Sequence, residues 1–259
     1  MLRFFLPDLM SRNLTEQELM DRSDADPELL RRTVRQFRWI NALFSSSRRL
    51  LRTHVFSIMQ QNPFRTYSLL DVGAGGCDIA QWIAREARRR HLKIQITALD
   101  NDPRMLPVAY ETIENFPEIQ IVEGNALDLG SLGPFDFIFS NHFLHHLSWE
   151  EIRLFLLSVI AQTRLAFVMN DLKRSRAAYL GATLSLGLLA RHSFAFYDGR
   201  LSIRRGFLPD ELKVFLHTHF PDAPIEVVET SPARVVLVSH FGGEGCDQES
   251  KGEKEWVMF

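Results

Sequence analysis

The sequence predicts an α/β fold, a mainly parallel sheet with helices on its faces, and three observations carry that expectation. From Ser68 onward short apolar runs alternate with segments of helix length, the pattern of successive βαβ units. The first run, SLLDV, breaks into the glycines of GAGG and is followed by a helical stretch, as where a strand feeds a helix beneath a ligand. The last two runs, IEVVE and ARVVLVS, are separated by only a few residues, ETSP. No crossover helix fits in that gap, so these two pair antiparallel as an edge hairpin.

The elements follow in order. From Asp26 to about Gln60 the pattern is helical, with Leu30, Val34, Phe37 and Phe44 recurring at three- to four-residue steps. Arg31, Arg35 and Arg38 fall on the opposite stripe, read as a solvated face in preference to a nucleic-acid surface. SLLDV leads into a helix from Asp78 to Arg90, and IQITALD into one from Pro103 to Asn115, with Pro103 suited to a first helical turn. IQIVEG and FDFIFS come next, then a helix from Trp149 to Ala161 opened by a capping box of Ser148 and Glu151, then RLAFVMND. The stretch Ala177 to Ala190 is apolar nearly all round; it is read both as packing against the N-terminal helices and as the lid of a hydrophobic pocket, with Phe194, Phe196 and Tyr197 nearby. The tail GGEGCDQESKGEKEWVMF is polar and loose, with Trp256 to Phe259 docking back. There is no internal repeat.

A chain of 259 residues buries one full-sized core, and 46% hydrophobic with 24% charged residues is the balance of a globular protein. The net charge of -2 gives no global pull toward nucleic acid or an anionic membrane. Cys77 and Cys246 lie far apart without metal-ligand spacing, a reduced signature that places the protein in the cytoplasm. The start, MLRFFLPDLMSRNL, lacks a long apolar core and a small-residue cleavage site, and no apolar run reaches the roughly 18 residues of a membrane span.

The glycine turn decides the ligand class. A phosphate loop needs G-K-[ST], and Cys77 and Asp78 stand there instead. In a dinucleotide fingerprint the third small residue would fall at Asp78, whose carboxylate repels a pyrophosphate. Asp71 sets an acid two residues before Gly73, beside the ligand, where a cation is preferred. Asp100 closes the second strand at the distance where an acid accepts from ribose hydroxyls. A ribose joined to a positive, phosphate-free group describes S-adenosylmethionine.

On these residues Ser68 to Ser239 resembles a class I S-adenosylmethionine-dependent methyltransferase of the small-molecule branch, similar to the ubiquinone/menaquinone-biosynthesis methyltransferases. DVGAGG resembles the family's D-x-G-x-G-x-G, with Cys77 in place of the last glycine, and Asp100 in ALDND matches the ribose-binding acid. EGNALDL resembles the third motif, with Asn125 where an acid commonly faces the adenine amine and Ala126 against the ring. FDFIFSNHFLHHL matches the fourth-strand motif, the most specific match in the chain. The resemblance implies a Rossmann-like three-layer sandwich with seven strands in the order 3-2-1-4-5-7-6, strand 7 antiparallel. Residues 1–62 form an N-terminal helical cap, 63–240 the methyltransferase domain with a helical lid insert at 174–206, and 241–259 the tail. The implied cofactor-binding residues are Asp71, Gly73, Gly75, Asp100, Asn101, Asn125, Ala126 and Asn141, with S-adenosylhomocysteine as product.

Polar residues gather after strand four (Asn141, His142, His145, His146) and strand five (Asn170, Asp171), where open α/β sheets bind ligands. His145 or His142 is the expected base, with Asp171 orienting a histidine or binding substrate. His146 beside Leu147 is expected to pack or cap. Arg204 and Arg205 are read as surface arginines, with pairing to an acidic substrate group as the functional reading. A metal site from His142, His145 and Asp171 is set aside because nothing in this chemistry needs one, so no metal is expected. The expected reaction is O-methylation of a small, largely hydrophobic phenolic, quinol or polyketide-derived aromatic acceptor, by a monomer or homodimer that touches a membrane surface at most transiently. Its rivals are C-methylation of a similar ring, RNA or protein methylation, and a non-catalytic cofactor-binding module. The absence of an N-P-P-Y-type tetrapeptide, with SNHF in its place, argues against nucleic-acid amines.

Overall fold

The computed structural model describes residues 7–190 and 192–241; the expected docking of Trp256 to Phe259 lies outside the described residues. The N-terminal segment leads into α1 (Pro27–Phe44) and α2 (Ser47–Leu51), which runs on through a π-helical turn, Arg52–Phe56, to Ser57–Met59. Then come β1 (Thr66–Val72), α3 (Asp78–Arg89), β2 (Lys93–Asp100), a 3-10 turn at Pro103–Met105 with α4 (Leu106–Ile113), β3 (Ile119–Glu123) and β4 (Phe135–Asn141). The second half holds α5 (Trp149–Gln162), β5 (Thr163–Leu172), α6 (Arg176–Leu189), α7 (Ala195–Arg205), α8 (Pro209–His219), β6 (Ile225–Thr230) and β7 (Arg234–His240).

The seven strands form one sheet in the order β3-β2-β1-β4-β5-β7-β6. All pairings are parallel except those of β7, which runs antiparallel to both β5 and β6, so the hairpin and the sheet order are those the sequence implies. Side chains alternate across the sheet with period two. Leu69, Phe137, Phe139 and Val168 face Phe56, Met59, Ile83 and Ala84 on one side. Leu70, Ile138, Phe167 and Met169 face Phe155, Leu156, Val159 and Phe215 on the other. Each buried phenylalanine contributes about 1.5–3 kcal/mol of transfer free energy, and these two layers fix the strand ends that carry the polar residues.

The helical stretch read from Asp26 to about Gln60 divides into two helices. Asp26 caps the first, accepting from the N–H groups of Glu28 and Leu29. The break falls at Ser45-Ser46-Ser47: Ser45 Oγ donates to the Asn41 carbonyl at 2.6 Å, Ser47 N–H donates to Ser45 Oγ, and Ser46 is left-handed at φ 57°. Short hydroxyl side chains bind backbone groups in place of the helical ladder, a competition that apolar periodicity does not register. In α6 only Tyr179 and Leu186 are buried. Leu186 packs with Ala190, Ala195, Phe37 and Ile40, while Leu180, Leu184 and Leu188 are exposed.

Candidate active site

The carboxyl ends of β1, β2, β4 and β5 converge on one edge of the sheet. After β1 the chain turns through Gly73 (φ 70°), Gly75 (φ 50°) and Cys77 (φ 59°) before α3 begins. Cys77 therefore occupies a left-handed position, the conformation that favours the glycine of the family motif. A side chain on Gly75 would meet nothing within 4 Å, so the turn opens toward space beside the strand ends. Behind it the packing is close: a Cβ on Gly76 would lie 2.7 Å from Val34 Cγ1, which brings α1 directly over the turn.

Three acids line this turn. Asp71 is buried, and its Oδ2 has no hydrogen-bond partner. Asp100 accepts the Gly75 N–H on Oδ2 at 2.7 Å and the Asp102 N–H on Oδ1 at 3.0 Å. Asp78 receives Asn41 Nδ2 from α1 at 3.3 Å. Burial pushes all three carboxyls above their usual range, and for Asp71 the neighbouring charges of Asp78 and Asp100 push further. Asn101 is exposed just beyond β2. Asn125 is exposed too, its Oδ1 accepting the Leu127 N–H at 2.9 Å, with Ala126 partly buried beside it.

The second half of the site is the histidine pocket. Asn141 is buried at the end of β4, accepting from Asn170 Nδ2 at 2.7 Å and donating to Asn41 Oδ1 at 3.2 Å. His142 follows with φ 59°, and Arg234 Nη2 donates to its Nε2 at 2.8 Å. Burial, reinforced by the Arg234 charge, holds His142 well below the usual imidazole range, so it is neutral. His145 is fully buried. Its Nδ1 lies 2.7 Å from Asp171 Oδ1, its backbone N–H donates to Asp171 Oδ2 at 3.1 Å, and its Nε2 lies 3.6 Å from Glu18 Oε1. Burial opposes its charge, but Asp171 and Glu18 outweigh burial and raise it to about 9. Asp171 is held well below the usual carboxylate range, His145 outweighing its burial. His146, half-buried, places Nδ1 3.2 Å from Asp21 Oδ2.

The structure thus brings His142, His145 and Asp171 into one largely buried cluster, with His142 and His145 ring centroids 6.2 Å apart. Neither arginine of the Arg204-Arg205 pair is a free surface cation: Arg204 binds Glu16 at 2.6 Å, and Arg205 is buried with Nε 3.3 Å from the His145 carbonyl. Sequence reading missed Glu18 and Arg234. Glu18 lies in the aperiodic run NLTEQELM, which carries no local signal. Arg234 did carry one: a lone cation at the head of RVVLV, an apolar strand, must find a polar partner once buried.

The N-terminal segment packs against this cluster. Arg12 donates to the carbonyls of Arg205 (2.8 Å) and Leu147 (2.9 Å), and Asp198 accepts the backbone N–H groups of Leu19 (2.7 Å) and Met20 (3.0 Å). Ser202 Oγ donates to Glu18 at 2.8 Å. Among the described residues no helix is long and apolar enough to cross a membrane.

Residues 69–164, from β1 to the start of β5, match the family described as "Methyltransferase domain". A comparison with curated proteins finds no match in sequence. Among solved structures, human N-acetylserotonin methyltransferase in complex with SAM superposes with a TM-score of 0.55 at 15% identity, over 82% of this chain and 56% of that one. An O-methyltransferase family protein from Burkholderia thailandensis gives 0.51 at 14% identity, over 85% and 72%. A SAM-dependent methyltransferase from Aquifex aeolicus gives 0.50 at 16%, over 82% and 97%. At these identities the likeness is one of fold. Residues 69–164 thus match a methyltransferase-domain model, and the seven-stranded sheet that holds them, with the glycine turn and its acids on β1 and β2, has the fold of these solved methyltransferases.

Proposed function

We propose that the protein transfers the methyl group of S-adenosylmethionine to a small, largely hydrophobic acceptor, by O-methylation of a phenolic, quinol or polyketide-derived aromatic. The observation that carries the cofactor is the buried, unpartnered Asp71 Oδ2 amid two further acids at an open glycine turn. A buried carboxylate oxygen without a partner costs about 1–3 kcal/mol, which a cationic, hydrogen-bond-donating ligand relieves and a phosphate aggravates. Asp71 faces the charged end of the cofactor, Gly73 and Gly75 admit it to the backbone, and Asp100 takes the ribose hydroxyls. Asn101, Asn125 and Ala126 border the adenosine, and Asn141 closes the far side. When bound, S-adenosylmethionine supplies an electrophilic methyl group on a sulfonium.

The acceptor's side of the reaction falls to the histidine pocket. Holding two reactants in line is worth about 7–11 kcal/mol. For a phenol near pKa 10, losing its proton at neutral pH costs roughly 4 kcal/mol. That proton passes to Nε2 of the neutral form of His145, a minority form at neutral pH because Asp171 and Glu18 raise the imidazole to about 9, while Asp171 occupies Nδ1 and fixes the ring. His142, neutral and bound to Arg234, orients the acceptor. Cytoplasmic small-molecule biosynthesis fits this reading.

Calorimetry tests it: S-adenosylhomocysteine binds and NAD does not, and the reverse result overturns the assignment. Mass spectrometry of products from phenolic and quinol acceptors, with labelled cofactor, then separates O- from C-methylation. Titration with RNA across salt concentrations gives a flat response, whereas a steep slope revives a nucleic-acid substrate.

A further inference from the structure

We propose that Glu18, His145 and His146 form a binding site for a divalent transition-metal ion of the zinc type, at the end of the pocket where the acceptor loses its proton. The inference deepens the reading above and rests on it only for the nature of the acceptor.

Each of the three residues offers one ligand atom, and these atoms all lie within 4.8 Å of one another. His145 Nε2 and Glu18 Oε1 are 3.6 Å apart, against about 3.4 Å between neighbouring ligands of a tetrahedral zinc ion. The ligands are already oriented. Metal-binding imidazoles use one ring nitrogen while a carboxylate holds the other, and Asp171 Oδ1 holds His145 Nδ1 at 2.7 Å. Ser202 Oγ fixes Glu18 Oε1 at 2.8 Å, and Asp21 adds a further carboxylate at the edge, 3.2 Å from His146 Nδ1.

Charge points the same way. Four carboxylates gather here: Glu18, Asp21, Asp171 and Asp198. Two guanidinium groups face them: Arg12, which bonds the His145 and Leu147 carbonyls, and Arg205, which bonds those of His145 and His146. Glu18 and Asp171 bracket His145 at its two ring nitrogens, so a cation at Nε2 meets carboxylates on both sides. Two imidazoles and a carboxylate select zinc or iron over magnesium or calcium, which take oxygen ligands. Three protein ligands also leave a coordination position open, as in catalytic zinc centres. With the ion on Nε2, His145 is a ligand in place of a base, and a hydroxyl acceptor in the open position gives its proton to water because the cation stabilises the oxyanion. His142 is excluded from the set, its Nε2 being occupied by Arg234. His145 and His146 come from the turn after β4 and Glu18 from the N-terminal segment, so the site exists only when that segment is seated.

The test uses the full chain, stripped with chelator and titrated with Zn²⁺ against a chromophoric competitor. One ion binds per chain, and Glu18→Gln and His146→Ala each weaken it by about 10–100-fold or more. His54→Ala, which removes the separate His54–His240 pair (3.3 Å), leaves it unchanged. X-ray absorption of the zinc-loaded wild type shows imidazole ligands. No stoichiometric binding, equal binding by both site variants, or a shell without imidazole overturns the proposal. S-adenosylhomocysteine calorimetry on the same samples separates the two readings. Normal binding of that nucleoside without zinc sinks the metal site alone, whereas zinc without it sinks the cofactor assignment.

Discussion

Replacing Asp100 with alanine isolates the proposed ribose contact. Each Asp100 oxygen already accepts one backbone N–H, from Gly75 at 2.7 Å and from Asp102 at 3.0 Å. The lone pairs that these bonds leave over are the ones we assign to the two adjacent hydroxyls of a ribose. Burial raises the cost of keeping this carboxylate charged, so the net loss is less than two full charge-assisted bonds. We expect a loss of about 1–3 kcal/mol, a 5- to 150-fold rise in Kd. The assay is calorimetry with two ligands, S-adenosylhomocysteine and adenosine. Adenosine carries the ribose without the amino-acid end, so Asp100→Ala weakens both by the same factor, while Asp71→Asn weakens only the first. Thermal melts of both variants check that the Gly75 turn still folds. An unchanged Kd for Asp100→Ala refutes the ribose assignment, and a loss confined to S-adenosylhomocysteine moves Asp100 to the charged end.

Two further outcomes follow. His145→Ala lowers turnover by roughly 10²–10⁴ while leaving the Kd for S-adenosylhomocysteine within error, and wild-type turnover in that variant would return His145 to a purely structural role. Acid sensitivity is expected at Glu86, which Arg89, Arg90 and Arg52 hold down at about 2 from an ordinary 4.5. A lowered carboxyl stabilises the fold above its unfolded value, so Glu86→Gln costs about 1 kcal/mol at pH 7, discounted for its solvent-exposed arginines. That difference fades as pH falls from 4.5 to 2; urea unfolding at pH 7 and pH 2.5 reads it, and an equal difference at both refutes the network's role.

How much of this was legible follows from the range of the forces involved. Strands and the glycine turn are local patterns, and the ETSP gap is a length constraint, so the sheet and its hairpin could be read residue by residue. The same holds for the Ser148–Glu151 box, whose reciprocal bonds span three residues (2.8 and 3.3 Å). Asp171 and His145 could be nominated because both lie at or just beyond the carboxyl ends of apolar strands, although their 2.7 Å contact depends on β4 and β5 being neighbours in register, Asn141 beside Asn170. Glu18 was beyond reach, since the bonds that seat it run to Ser202 and, through Leu19 and Met20, to Asp198, nearly 180 residues away. Arg205 was misread for a related reason. Its partners are backbone carbonyls, which leave no trace in a pattern of side chains.

Cys77 sits in a turn that we assign to an alkylating agent, and a thiol there invites the enzyme to modify itself. Only the thiolate is an effective nucleophile toward a sulfonium. Burial first, and then the negative charges of Asp71, Asp100 and Asp78, push this thiol far above its ordinary range. A bound cation offsets the charges but deepens the burial, so the sulfur keeps its proton through turnover. On that assignment, the acids that suit the turn to a methyl donor also disarm the thiol that would intercept the methyl group.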